Sequence, residues 1–153
     1  MTVFVECKPD ETLVVALGAA KRDVTHYQGK DELAKALQKH SGVVAVIDED
    51  PLSAQPTYLK KLLVGDHANG VRLLTDLQRN HRVLVVCPRL EEWLVAAVKE
   101  SGLALQDFGF HAVDGHSLHG EINERIGSLQ RVIAALMEGE SKQLLRLRTL
   151  LNG

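Results

Sequence analysis

The amino-acid sequence predicts an α/β fold: a single-domain, three-layer sandwich on a mostly parallel sheet, with additional C-terminal helices. Three observations carry this expectation. First, "VFVEC", "GVVAVID" and "RVLVVCP" are short apolar runs rich in β-branched residues, as in strands that a parallel sheet buries on both faces. Second, helical patterns such as "KDELAKALQKH" alternate with these runs, which is the order of β-α-β units. Third, 45% of the 153 residues are hydrophobic and 25% charged, an ordinary balance for a chain long enough to bury one sizeable core.

Taken in order, Thr2 to Cys7 is too short and too β-branched for a helix and reads as a strand. Pro9 and Asp10 open a helix to about Ala20, with Asp10 and Glu11 near its positive end. "DVTHYQ" is a second strand, broken by Gly29. Leu33, Ala36, Leu37 and His40 recur at helical spacing in the next segment, and "GVVAVID" is the third strand. "PLSAQPT" is a loop, "YLKKLLV" a short helix, "GDHANG" a turn and "VRLLTDLQRN" a further helix. "RVLVVCP" returns to the sheet, and Pro88 opens the helix "RLEEWLVAAVKESG", whose Leu90, Trp93, Leu94, Ala97 and Val98 form a core stripe. Leu103 to Gly120 is rich in loops. "EINERIGSLQRVIAALME" and "SKQLLRLRTLL" are amphipathic helices. The last of these carries a wide apolar stripe at Leu144, Leu145, Leu147, Leu150 and Leu151, which either packs back on the domain or forms a homodimer contact. Without a repeat or a composition break, residues 1–153 read as one domain with its core at about 2–100 and a helical part at about 120–151.

The formal charge of −2 argues against coating nucleic acid by bulk electrostatics, although Lys60, Lys61, Arg72, Arg79, Arg82 and Arg89 leave room for a local basic strip. No apolar run approaches the roughly 18 residues of a membrane span, and no signal-peptide pattern is present, so a cytoplasmic protein is expected. Cys7 and Cys87 lie in apolar stretches and read as reduced thiols.

The chemistry is expected at the ends of the strands. Parallel strands joined by right-handed crossovers share one C-terminal edge, where open α/β sheets bind ligands. Glu6 and Asp48 both fall there. If the chain is still extended past Asp48, alternation places Asp48 and Asp50 on one side and turns Glu49 away. Side-by-side carboxylates repel unless a cation intervenes, and an oxygen-rich set suits Mg²⁺ or Mn²⁺. Asp10, on local grounds, reads as a helix-start residue rather than a ligand. Glu91 and Glu92 open a helix at the same edge, as an added metal ligand or as acids favoured by the helix N-terminus.

The order E-x-x-x-D (Glu6, Asp10) after one strand, then D-x-D (Asp48, Asp50) after a later one, resembles the Toprim domain of topoisomerases, primases and OLD-type nucleases. "VVCPRLEEWLVAAV" is similar to the P-x-x-E-x-W-L stretch of small stand-alone Toprim-like proteins, some linked to phage defence, and favours Glu91 over Glu92. The resemblance covers about residues 2–100. It implies Glu6 as general acid/base, with Asp48 and Asp50 holding Mg²⁺ (or Mn²⁺), joined by Glu6 and Glu91. The implied activity is that of a nuclease, or a nuclease subunit, acting on nucleic-acid phosphodiesters, DNA ahead of RNA, in defence or repair. The family usually has glycine where this chain has Cys7. No G-x-x-x-x-G-K-[ST] loop is present, so any ATP dependence requires a separate ATPase partner. The alternative expectation is a non-catalytic Toprim-like adaptor or regulator. His111, Asp114, His116 and His119 form a histidine-rich segment, read as a loop covering the crevice rather than as a zinc site.

Overall fold

The parallel part of the sheet forms where the sequence is most continuously apolar. In the computed structural model, which describes all 153 residues, the elements run β1 (Thr2–Val5), α1 (Lys8–Ala16), β2 (Val24–His26), α2 (Lys30–Leu37), β3 (Val43–Asp48), α3 (Thr57–Lys60) and β4 (Leu63–Ala68). They continue with β5 (Val71–Asp76), β6 (His81–Val86), α4 (Leu90–Glu100), α5 (Gly115–His119), α6 (Ile126–Glu138) and α7 (Lys142–Asn152). The strand order is β2-β1-β3-β6-β5-β4. The first four are mutually parallel, and β5 and β4 add as an antiparallel hairpin. The chain steps from β1 outward to β2, then crosses back past β1 to β3. This reversal of direction is the topological switch point at which doubly wound sheets leave a crevice beyond the strand C-termini.

Alternation along the strands divides the interior into two layers. Val3, Val5, Val44, Val46, Leu84 and Val86 face α1, α4, α6 and α7. Phe4, Ala45, Ile47, Val83 and Val85 face α2 and α3. The first layer holds 29 buried residues and the second 13, so the main core lies on the α1/α4 side. Burial of each large aliphatic there stabilises by about 1.5–3 kcal/mol. Leu129, Val132, Ile133 and Leu136 of α6 and Leu144, Leu147 and Leu151 of α7 belong to that same core. The α7 stripe therefore packs back on its own sheet, leaving Leu145 and Leu150 half-buried. The helix-α4 stripe of Leu90, Trp93, Leu94, Ala97 and Val98 is buried as its spacing predicts.

The middle of the chain differs from the sequence expectation. "VRLLTDLQRN" is not a helix: Val71–Asp76 is strand β5, paired with β6 from Val71↔Val86 to Asp76↔His81. The short helix stops at Lys60, and Leu63 and Val64 belong to β4. Within "GDHANG" only Asn69 and Gly70 turn, both at positive φ (51° and 73°), as a two-residue hairpin requires. Gly70 is needed for a second reason: a Cβ there would lie 2.5 Å from Trp93 Cδ1. Trp93 Nε1 donates to the Asn69 carbonyl at 3.0 Å, pinning the hairpin to α4. The loop-rich stretch contains α5 and a 3-10 turn at Leu105–Phe108. Pro88 precedes α4 by two residues rather than opening it, and Arg89 is its N-cap.

At the N-terminal end of the parallel strands, buried polar groups are paired. His81, fully buried, accepts from the Val43 N–H through Nδ1 (3.1 Å), so Nε2 carries the hydrogen toward the Leu37 carbonyl (2.7 Å). Asp76 accepts from the Tyr58 hydroxyl (2.6 Å), the Arg79 N–H (3.0 Å) and the Arg79 guanidinium (3.3 Å). Burial pulls the Asp76 carboxyl up, but these donors outweigh it and hold it below its ordinary value.

Candidate functional site

The opposite end of the sheet, at the switch point, is built differently. Glu6 directly follows β1, and Asp48 is the last residue of β3. Helices α1 and α4 begin beside them on the same face. Asp10 sits in the first turn of α1, on the stripe it shares with Leu13, Val14 and Leu17, and is only 1% exposed. Glu91 occupies the equivalent place in α4, in line with Leu94, Val95 and Val98, at 6% exposed. Two strand ends and two helix starts thus bring four carboxylates to the C-terminal edge of the sheet, Asp10 and Glu91 buried, Glu6 and Asp48 half-buried.

Several oxygens of this group lack protein partners. Glu6 Oε1, both Asp10 oxygens and Glu91 Oε2 are buried without a hydrogen bond. None of Glu6, Asp10 and Asp48 enters an ion pair. Asp48 Oδ1 accepts the Leu90 N–H at 3.1 Å, at the positive end of α4. Burial is the main influence on all three of these acids. It pushes Glu6 up to about 7, an effect that Lys30 opposes and Asp50 reinforces. It also raises Asp10, opposed by the Cys7 side chain and the Glu6 backbone and reinforced by the charges of Glu6 and Glu91. Asp48 rises as well, through burial and then the charges of Asp10, Glu6 and Glu91. The Cys7 thiol is pushed up by burial and by Asp10. These effects link Asp10 and Asp48 to each other, and each of them to both Glu6 and Glu91.

The sequence-predicted residues therefore fall into two groups. Glu6, Asp48 and Glu91 are brought together. Asp50 stands at the margin: its charge reaches Glu6, but its carboxylate accepts from Ser53 Oγ at 2.7 Å. The chain is not extended at Asp50 (φ 46°), so the alternation expected for Asp48 and Asp50 does not hold. Glu49 does turn to the other face, where Arg72 donates to it at 2.9 Å. Asp10 lies in the first helical turn, as expected, and is also the most deeply buried acid of the group. The visible signal is its helical spacing to Leu13, Val14 and Leu17, which puts it on the inward face. Cys7 has φ −152°, which any residue adopts, so no glycine is required there.

Lys30 is the cation whose charge acts on Glu6, and its ammonium is held by the Glu49 carbonyl (3.1 Å) and Gln55 Oε1 (3.0 Å). Of the candidate basic strip, Arg72 binds Glu49, Arg79 binds Asp76, Arg89 binds Glu92 and Arg82 donates to the Leu150 carbonyl. An open cavity of about 420 Å³ lies on the other face, between Ile47, Leu59, Leu62, Leu74 and Val85, with Lys60 and Arg72 also lining it.

A set of buried, unpartnered carboxylates has two ways to be accommodated: protonation, or a bound cation. The orphaned oxygens are all anionic-oxygen donors, matching the hard ligands that Mg²⁺ and Mn²⁺ take. As the side chains stand, no group of three acidic, histidine or cysteine side chains is arranged to hold a metal ion, so binding would require rotation of at least one of them. The chain matches no family model, no curated protein and no solved structure. No helix is long and apolar enough to cross a membrane.

Proposed function

We propose that the protein is a Toprim-like, divalent-metal-dependent nuclease or nuclease subunit acting on nucleic-acid phosphodiesters. The observation that carries this reading is the cluster of Glu6, Asp10, Asp48 and Glu91 at the switch point of a mostly parallel sheet, in which Glu6, Asp10 and Glu91 carry buried oxygens without a hydrogen bond. Glu6, Asp10, Asp48 and Glu91 would hold Mg²⁺ or Mn²⁺, with Asp50 beside them. A divalent ion bound there supplies positive charge that polarises a phosphoryl oxygen and offsets the charge of the leaving oxygen. The chain's own part is to gather the acids and exclude water with α1 and α4. Burial raises the Glu6 carboxyl in the metal-free protein, and a bound divalent ion would draw it back toward the carboxylate that can accept a proton. DNA is the favoured substrate. A separate ATPase partner and a place in phage defence or repair belong to the same proposal, as does a homodimer through the half-buried Leu145 and Leu150.

A second reading, a non-catalytic adaptor on the same scaffold, is favoured by the absence of a pre-assembled ligand set. Thermal unfolding with and without Mn²⁺ separates the possibilities. The metal reading expects Mn²⁺ to raise the melting temperature of wild type but not of Asp48→Asn, and a metal-independent curve for wild type overturns it. The nuclease reading further expects metal-dependent nicking of supercoiled DNA that Glu6→Gln abolishes. Metal binding without cleavage of any nucleic acid would leave the adaptor.

A further inference from the structure

The segment from Leu103 to Gly120 contributes a residue to the acid cluster from outside the strands. Helix α5 lies against α4 and grips two successive acids of its first turn. At one end, Gly115 is pressed so closely on Glu92 that a Cβ would sit 2.6 Å from Glu92 Cγ. At the other, His119 Nδ1 lies 3.1 Å from Glu91 Oε1. Between them Leu118 is fully buried. A capping box closes the helix start: Asp114 Oδ1 accepts the Ser117 N–H at 2.8 Å, and Ser117 Oγ accepts the Asp114 N–H at 3.4 Å. The position of His119 is thus fixed by packing and a cap, although its own ring is 62% exposed.

The two oxygens of Glu91 have different surroundings. Oε1 accepts from the imidazole, and Oε2 is buried with no partner. The Glu91 charge acts on both Asp10 and Asp48. A carboxylate is planar, so anchoring one oxygen at the solvent side fixes the direction of the other. We propose that His119 is a positioning residue for Glu91: its ring N–H holds Oε1 so that Oε2 stays turned toward the acid cluster, and the hold strengthens binding of a divalent cation there. This rests on the metal reading above. It assigns His119 the outer-shell task that ligand-orienting hydrogen bonds perform, whose loss typically weakens metal binding about 10–100-fold.

The experiment is a Mn²⁺ titration of wild type, His119→Ala and His119→Asn, read by the electron paramagnetic resonance signal of free Mn²⁺, with metal-free melting temperatures measured alongside. Asn keeps an N–H donor near the place of Nδ1, whereas Ala removes it. The expected result is about tenfold or greater weakening in Ala and recovery to within about threefold of wild type in Asn. Metal-free melting temperatures should stay unchanged, because the ring is largely exposed. Wild-type affinity in Ala, or equal weakening in Ala and Asn, overturns the proposal while leaving the metal reading intact. Failure of wild type to bind Mn²⁺ overturns the metal reading itself, and this proposal with it.

Discussion

The two ends of the sheet treat their polar groups in opposite ways. At the N-terminal end of β3 and β6, His81 and Asp76 sit among donors and acceptors that meet their needs within 3.3 Å. At the C-terminal end of β1 and β3, Glu6, Asp10 and Glu91 carry buried oxygens that nothing meets. Both ends belong to the same strands and are covered by helices. The fold can therefore satisfy buried polarity, and the acid end is left uncompensated where a doubly wound sheet places its ligands. A polar interior that only served stability would resemble the first end. The second end stores unfavourable electrostatics that a bound cation or protons would relieve.

Breaking the satisfied end should be the most costly change. His81→Ala orphans the Val43 N–H and the Leu37 carbonyl, at about 1–3 kcal/mol each, and opens a void besides. A loss of about 4 kcal/mol is expected in denaturant unfolding. A much smaller loss would show that the two ends do not differ as described.

Next in size is the pH dependence of the acid end. Glu6 is raised from 4.5 to about 7 in the folded protein, so between these values the folded state holds more protons than the unfolded one. Its stabilising contribution is complete below about 4.5 and is lost as pH rises through about 7, an amount of about 3 kcal/mol for this group. Asp10 and Asp48 are raised too and act in the same sense. Asp76 acts oppositely: its contribution is present above 3.8 and lost as pH falls through its lowered folded value. The metal-free protein should therefore be most stable near pH 4–5 and melt at falling temperature toward pH 8. A melting temperature that rises over that interval contradicts the picture.

Removing one charge from the cluster should help the metal-free protein. Asp10→Asn takes away a carboxylate that burial and its neighbours disfavour, and about 2 kcal/mol of stabilisation is expected at pH 8, or some 4–8 °C in melting temperature. Destabilisation of the metal-free variant would mean that Asp10 has a structural partner. The smallest effect is expected at Tyr58→Phe, which deletes a single donor to Asp76 and should cost about 1 kcal/mol, measured by the same unfolding curves.

Much of this contrast could be read in the sequence, and the exceptions have physical reasons. Strands β1, β3 and β6 announce themselves because both faces are buried, which enforces continuous apolar runs such as "VVAVI". Glu6 and Asp48 follow from being the first carboxylates beyond those runs. Strands β4 and β5 were obscured for the opposite reason. All six residues of β4 are exposed, so no burial pattern marks it. The Leu73, Leu74 and Leu77 spacing in the next segment mimics a helix, and the Asn69-Gly70 pair was the stronger signal. Asp10 was masked by a competing local explanation, since an acid in a first helical turn is favourable anywhere. Only its register with Leu13, Val14 and Leu17 distinguishes an inward-facing acid from a solvated one. His119 lies 28 residues from Glu91, and no local pattern connects them. Only the docking of α5 on α4 does.

The lone tryptophan gives the molecule an optical reporter at its most useful point. Trp93 is two positions from Glu91 in α4, and its indole N–H is tied to the Asn69-Gly70 turn, so helix and hairpin share one chromophore. Any ligand that shifts the start of this helix must alter the surroundings of that ring, and its emission wavelength becomes a label-free gauge of occupancy at the acid end.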